Sequence, residues 1–159
     1  MIMKKGLLFG IICLVIVAGL VAVVCLVGGS ADKKLTCTLT GKTSNGTEVN
    51  VEYIIKYKGD YVKELKTVEK ATTSDKTALA TYKEETEKAY SKYKDTKYYD
   101  YSVKVSDDTI TATVTINYEK IDTKKLIEIS PNSKNIIENG KVKVKDLQKT
   151  YETTGAKCK

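Results

Sequence analysis

The chain has 159 residues and a formal charge of +7, and all 27 of its basic residues are lysine. It contains no arginine, histidine or tryptophan, and its single proline is Pro131. Without histidine there is no Ser-His or Cys-His nucleophile pair, no imidazole base working near pH 7 and no histidine metal ligand. Without arginine there is no bidentate clamp for phosphate or carboxylate. The positive balance suits teichoic acids or anionic headgroups, the plainer reading being a solvated, lysine-coated surface, and no nucleic-acid partner is implied.

The first element is an uncharged run from Leu7 to Val27, preceded by Lys4 and Lys5 and followed by no acid before Asp32. As a helix, 21 such residues span roughly 31 Å, the thickness of a bilayer's hydrocarbon core. The basic flank places residues 1–6 in the cytoplasm, residues 7–29 in the membrane as a helix or uncleaved signal anchor, residues 30–34 as a tether and residues 35–159 outside. The apolar run is long for a cleaved signal. Gly29-Ser30-Ala31 nevertheless offers small residues of the kind a signal peptidase reads, which keeps a secreted product open. Neither Cys25, after Val24, nor Cys13, after Ile12, has the small preceding residue that lipid attachment needs. The expected location is therefore the cell membrane, single-pass, with the C-terminal domain outside the cytoplasm.

Period-two alternation governs the exported part. Leu35, Cys37 and Leu39 alternate with threonines, and Ser44-Asn45-Gly46-Thr47 forms a hairpin turn into a half-buried strand carrying Val49, Val51, Tyr53, Ile55 and Tyr57. Lys58-Gly59-Asp60 turns the chain into a weaker strand, Tyr61 to Glu69, whose apolar residues are Val62, Leu65 and Val68. A helix capped by Ser74 is predicted from Asp75 to Lys94, with Leu79, Tyr82, Thr86, Ala89, Tyr90 and Tyr93 on one side. Alternation returns in a hairpin of Tyr99 to Val105 and Ile110 to Tyr118, joined at Ser106-Asp107-Asp108. Asp122 caps a short helical turn that Pro131 stops. A last helix from Lys145 to Thr154 ends at Gly155, and Ala156 to Cys158 run back to the first strand. The predicted fold is α+β: an antiparallel sheet of about five strands, made of a three-stranded meander, a helix and a hairpin, with helices packed on one face.

Two cysteines lie beyond the apolar run, Cys37 near the start of the domain and Cys158 near its end. In an oxidising exterior such a pair reads as a disulfide, and the CxxC spacing of a redox centre is absent. Scattered acids give no spacing for a metal site, and no cofactor is implied.

Two groups of residues carry the candidate contacts. The tyrosines Tyr93, Tyr98, Tyr99 and Tyr101 are close in sequence and offer faces on which a glycan or other soluble ligand would stack. The favoured reading of the same rings is a core in which tyrosine replaces phenylalanine, its hydroxyl reaching solvent at the sheet edge. Lys141, Lys143 and Lys145, alternating with Val142 and Val144 along one strand face, are placed to meet an anionic envelope polymer or another envelope protein. The paired acids Asp107 and Asp108 read as a turn. The function these residues support is a non-enzymatic envelope interaction or structural module; the alternative is a ligand- or glycan-binding module built on the tyrosines. Apart from the membrane and such an envelope partner, no partner is implied.

At Tyr57-Lys58-Gly59-Asp60, and again at Tyr118-Glu119-Lys120-Ile121-Asp122 with Leu126, the chain resembles the YehR-like small bacterial lipoproteins, a family of unknown function. The resemblance covers about residues 35–159 and extends to the order of elements. It implies the α+β fold and an outer-face membrane location. The family's lipid attachment does not carry over, because Cys25 lacks its small neighbour.

Overall fold

The computed structural model describes residues 31–43 and 46–159. The expected membrane span at 7–29 and the hairpin residues Ser44 and Asn45 lie outside the described residues; among those described, no helix is long and apolar enough to cross a membrane. The elements are β1 (Lys33–Lys42), β2 (Glu48–Lys58), β3 (Tyr61–Thr72), α1 (Lys76–Ser91), β4 (Tyr99–Ser106), β5 (Thr109–Asn117), α2 (Thr123–Ile129), a 3-10 turn (Pro131–Asn135), β6 (Ile137–Glu138), β7 (Lys141–Val142), α3 (Val144–Thr153) and β8 (Lys157–Cys158).

The main sheet has six antiparallel strands in the order β4-β5-β3-β2-β1-β8, one more than the expected five. The extra strand is the C-terminal tail itself. Cys158 lies opposite Cys37, and Thr36 and Lys159 exchange both backbone hydrogen bonds at 3.0 and 2.9 Å. The expected disulfide joins Cys37 to Cys158. A second feature absent from the sequence reading is the β6–β7 hairpin. Asn139 and Gly140 take φ of 51° and 75° at its turn, the pair of positive angles that Asn-Gly supplies for tight hairpins.

One face of the sheet is buried. Across the strands its rows read Leu35, Ile55, Leu65, Ile116 and Tyr99; then Cys37, Tyr53, Thr67, Val114 and Tyr101; then Leu39, Val51, Glu69, Ala112 and Val103. The strand β3 departs from expectation here. Its register on β2 shifts between Lys56 and Tyr57, so Lys63 is an extra residue and both Val62 and Leu65 point into the core. From Leu65 onward the core-facing residues are Thr67, Glu69 and Ala71, while Val68, expected inside, is half-buried on the opposite face.

Two helices cover this face. Asp75, rather than the expected Ser74, caps α1 through its carboxylate, which accepts from the amides of Thr77 and Ala78 at 2.8 and 3.1 Å. The helix crosses the sheet diagonally. Near its middle, the Tyr82 hydroxyl donates to Oε1 of Glu69 on β3; near its end, Tyr90 meets Tyr101 on β4, their ring centroids 5.9 Å apart. The helix α3 lies over the other half, where Tyr151 stacks on Tyr53 at 3.8 Å. Gly155, at φ 94°, ends α3 by letting the Ala156 amide reach back to the Tyr151 carbonyl at 3.0 Å. Asp122 caps α2 as expected, and Pro131 opens the 3-10 turn that follows.

Glu69 is only 5 % exposed. Burial pushes its carboxyl above the usual range, and the Tyr82 hydroxyl opposes that rise. The folded state thus holds this proton more tightly than the unfolded chain, so the contribution of Glu69 to stability falls as pH rises above the unfolded carboxyl's value.

Two outcomes follow from the closed ends and the buried carboxylate. Replacing Cys37 and Cys158 together by serine opens a loop of 121 residues and lowers unfolding free energy by about 4 kcal/mol relative to the oxidised native protein, read from urea denaturation, with reduced native protein expected to match the variant. Tyr82→Phe takes a donor from a buried carboxylate and costs about 1 to 3 kcal/mol. That cost is larger at pH 8 than at pH 5, which parallel urea titrations at the two pH values will read.

Candidate functional site

The four candidate tyrosines divide between core and surface. After α1 the chain tightens through backbone bonds from Tyr93 to Tyr90, Thr96 to Tyr93 and Tyr99 to Thr96, at 2.9, 2.8 and 3.2 Å. This coil turns Tyr93 beneath the helix end, where it is 2 % exposed and stacks on Tyr99 at 4.3 Å with ring planes 13° apart. Tyr99 is 6 % exposed. Tyr98 takes the left-handed conformation, φ 66°, and stands in solvent with the Lys120 ammonium 5.7 Å from its ring. Tyr101 is half-buried against Tyr90. The structure therefore brings together Tyr93 and Tyr99 as packing, and leaves Tyr98 and Tyr101 apart from that pair in exposure and role. Beside them, burial raises the Tyr118 phenol far above its ordinary range, with a further contribution from Tyr93, so this hydroxyl stays protonated.

The lysine trio does not form a single strand face. β7 ends at Val142, and Lys143 already stands at the N-cap of α3, whose first turn carries Lys145. The alternation of Lys141, Lys143 and Lys145 with two valines imitates a strand, but Val144 belongs to a helix. Lys141 places its ammonium 4.9 Å from the Tyr61 ring, and Lys143 pairs with Glu138 across the hairpin. Hydrogen bonding and attraction within that pair raise the Lys143 pKa and lower that of Glu138. Lys145 is exposed.

Two features escaped the sequence reading. Glu69 was masked by its position at the end of a strand whose bulge hides its phase. The second is a solvent-open groove of about 570 Å³ between α1 and β4, lined by Glu84, Glu87, Lys88, Ser91, Tyr101 and Val103. Its signal in the sequence is the fading of apolar character along β4, from Tyr99 to Ser106, next to a helix whose polar side carries Glu84, Glu87 and Lys88. Among the described residues no group of three or more Asp, Glu or Cys side chains is placed to hold a metal ion. Asp107 and Asp108 form the β4–β5 turn, Asp107 at φ 51° with its carbonyl accepting from the Lys76 ammonium at 2.9 Å.

No family model matches this sequence, and no curated protein matches it. Solved structures do. The domain matches the NMR structure of the Escherichia coli YehR protein with a TM-score of 0.54 and 25% identity, over 80% of this chain and 91% of that one. It also matches the NMR structure of a protein from Streptococcus pneumoniae, with a TM-score of 0.55 and 15% identity, over 90% of this chain and 94% of that one. The second likeness is one of fold alone. The disulfide-closed α+β domain is thus similar, over most of its length, to YehR, the resemblance that the Lys-Gly-Asp turn and the Tyr118 to Leu126 segment carry in the sequence.

Proposed function

We propose that this chain is a membrane-anchored extracytoplasmic interaction module without catalytic chemistry, carried by residues 7–29 and presenting the uncovered face of its sheet to another component of the envelope. The observation that carries this reading is that open face. Opposite the helices, the rows Thr38, Glu52, Val68, Thr113 and Ser102, and Thr40, Asn50, Lys70, Thr111 and Lys104, run unobstructed across five strands. Threonine with mixed charges makes a broad hydrogen-bonding surface, suited to the polar contacts of a protein or polymer rather than to enclosing a small molecule. The glycan alternative loses two of its four rings, because Tyr93 and Tyr99 are consumed by packing against each other. Lysines such as Lys66 and Lys70 leave an anionic envelope polymer within the chemistry of the same face.

One labelling experiment on the full-length chain tests both place and use. Glu52→Cys puts a thiol on the open face, and Lys149→Cys puts one on the outer side of α3. A membrane-impermeant maleimide is expected to label both in intact cells, and Glu52→Cys several-fold more slowly there than in the purified protein. Labelling only after lysis would overturn the extracytoplasmic placement. Equal slowing at both positions, or none at either, would overturn the use of the open face.

A further inference from the structure

The edge of the sheet at β4 is a surface of a different kind, independent of the open face. β4 is the outermost strand, and it pairs on one side only, with β5. The amide of Asn117 donates to the Tyr98 carbonyl at 3.0 Å, which sets the phase of that ladder. With Tyr99 opposite Ile116, the even-numbered residues of β4 bond to β5. The backbone groups of Tyr101, Val103 and Val105 therefore point away from the sheet. No bulge interrupts the register from Tyr99 to Ser106, and no proline blocks the edge. Native edges of this length are normally shielded by such devices or by a covering segment.

The side chains along this edge are also left uncovered. Because α1 crosses diagonally from β3 toward the Tyr99 end of β4, exposure climbs along the strand. Tyr99 is 6 % exposed, Tyr101 and Val103 are half-buried, and Val105 reaches 47 %. Tyr101 and Val103 form one wall of the groove against α1.

We propose that this edge pairs antiparallel with the same edge of a second copy of the chain, with Ser102 on the two-fold axis. The occupant is chosen by complementarity in the strand's own sequence. Centred on Ser102, Asp100 of each copy faces Lys104 of the other on the polar side. On the apolar side Tyr101 faces Val103 and Tyr99 faces Val105, aromatic against β-branched residues, the pairs that stabilise antiparallel strands. Neighbouring registers lose this. A centre at Asp100 sets two aspartates opposite each other, a centre at Lys104 sets two lysines opposite each other, and centres at Tyr101 or Val103 leave both charges facing uncharged residues. The Ser102 register also places outward-facing backbone opposite outward-facing backbone, so Tyr101 and Val103 exchange both hydrogen bonds across the axis. Neither Asp100 nor Lys104 is engaged in an ion pair among the described residues, so both are available to the partner. The result is one continuous sheet across two copies, an isologous contact that closes on itself.

Position-specific oxidation of the full-length chain in its own membranes tests the register. In this dimer the two Ser102 residues form a non-hydrogen-bonded pair with Cα atoms about 4.5 Å apart. The two Ser106 residues stand eight steps apart along the ladder, about 27 Å. Ser102→Cys is expected to give a disulfide-linked dimer on copper-phenanthroline treatment, while Ser106→Cys and the unsubstituted chain remain monomeric under the same treatment. In the Ser102→Cys background, Asp100→Lys or Lys104→Asp alone is expected to lower dimer yield several-fold, and the two together to restore it. Retention of the Cys37–Cys158 bond in each variant reports that the domain is folded. A monomeric Ser102→Cys chain, an equal dimer yield from Ser106→Cys, or a double charge exchange that fails to restore the yield would each overturn the proposal.

Discussion

The phase of β3 decides the architecture. This strand lies between β2 and β5 near the middle of the sheet, and side chains alternate faces with a period of two, so a slip of one residue would expose the core row and bury the charged one. The extra residue at Lys63 performs that slip once, on purpose, near the start of the strand. Before it, Val62 faces inward; after it, Leu65, Thr67, Glu69 and Ala71 do. Everything laid on the sheet then follows this phase. Tyr82 finds Glu69 only because Glu69 is on the helix side, and the resulting bond holds the middle of α1 over β3.

The chain ends answer a different problem. A β1 edge left open would present a row of unpaired amides beside the core, and the domain seals its middle with two residues of β8 and a covalent bond. The disulfide and the Thr36–Lys159 bonds are adjacent, so the cross-link holds the short strand in register while the strand hides Cys37, which is fully buried. Gly155 makes this possible. Its left-handed turn ends α3 and sends the tail back across Leu39, to which a Cβ at that position would come within 3.8 Å. Tyr151, one turn before the glycine, stacks on Tyr53 next to Cys37, so helix, turn and disulfide form one packed unit.

Legibility tracked how far local pattern and tertiary phase agree. β2 and β5 alternate cleanly because one face of each is largely buried and the other polar, Ile54 on β2 excepted, and both were readable from the pattern. The caps Asp122 and Gly155 were readable because their roles are local hydrogen-bonding roles. β3 was only half-readable: Val62, Leu65 and Val68 recur every three residues, which fits neither strand nor helix, and the bulge that explains the first two places Val68 on the other side. A buried glutamate cannot be read from polarity, since what admits Glu69 to the core is a tyrosine thirteen residues away. The lysines of 141–145 misled for the converse reason. Five residues of alternation were produced by a two-residue strand running straight into a helix, so a pattern with the right period spanned two elements. For the tyrosine cluster the sequence gives proximity, and only the coil after α1 gives direction, turning Tyr93 and Tyr99 into the core and Tyr98 into solvent.

The two edges of the sheet invite comparison with each other. On the β1 side a strand of two residues suffices, since the bond between Cys37 and Cys158 fixes its position and its flanks are lysine-rich. On the β4 side eight residues run unbroken, yet the helix that might have extended over them is committed elsewhere: Tyr82, near its middle, sits over Glu69 on β3, and Tyr90, near its end, packs on Tyr101. With the middle of the helix held over β3 by the Tyr82–Glu69 bond, Val103 is half-buried and Val105 exposed. A sheet whose central strand carries a buried carboxylate has to bring a donor to it, and bringing that donor on α1 leaves the far end of β4 bare. A strand whose charges and rings complement their own reversed order carries the chemistry of the cover proposed for it.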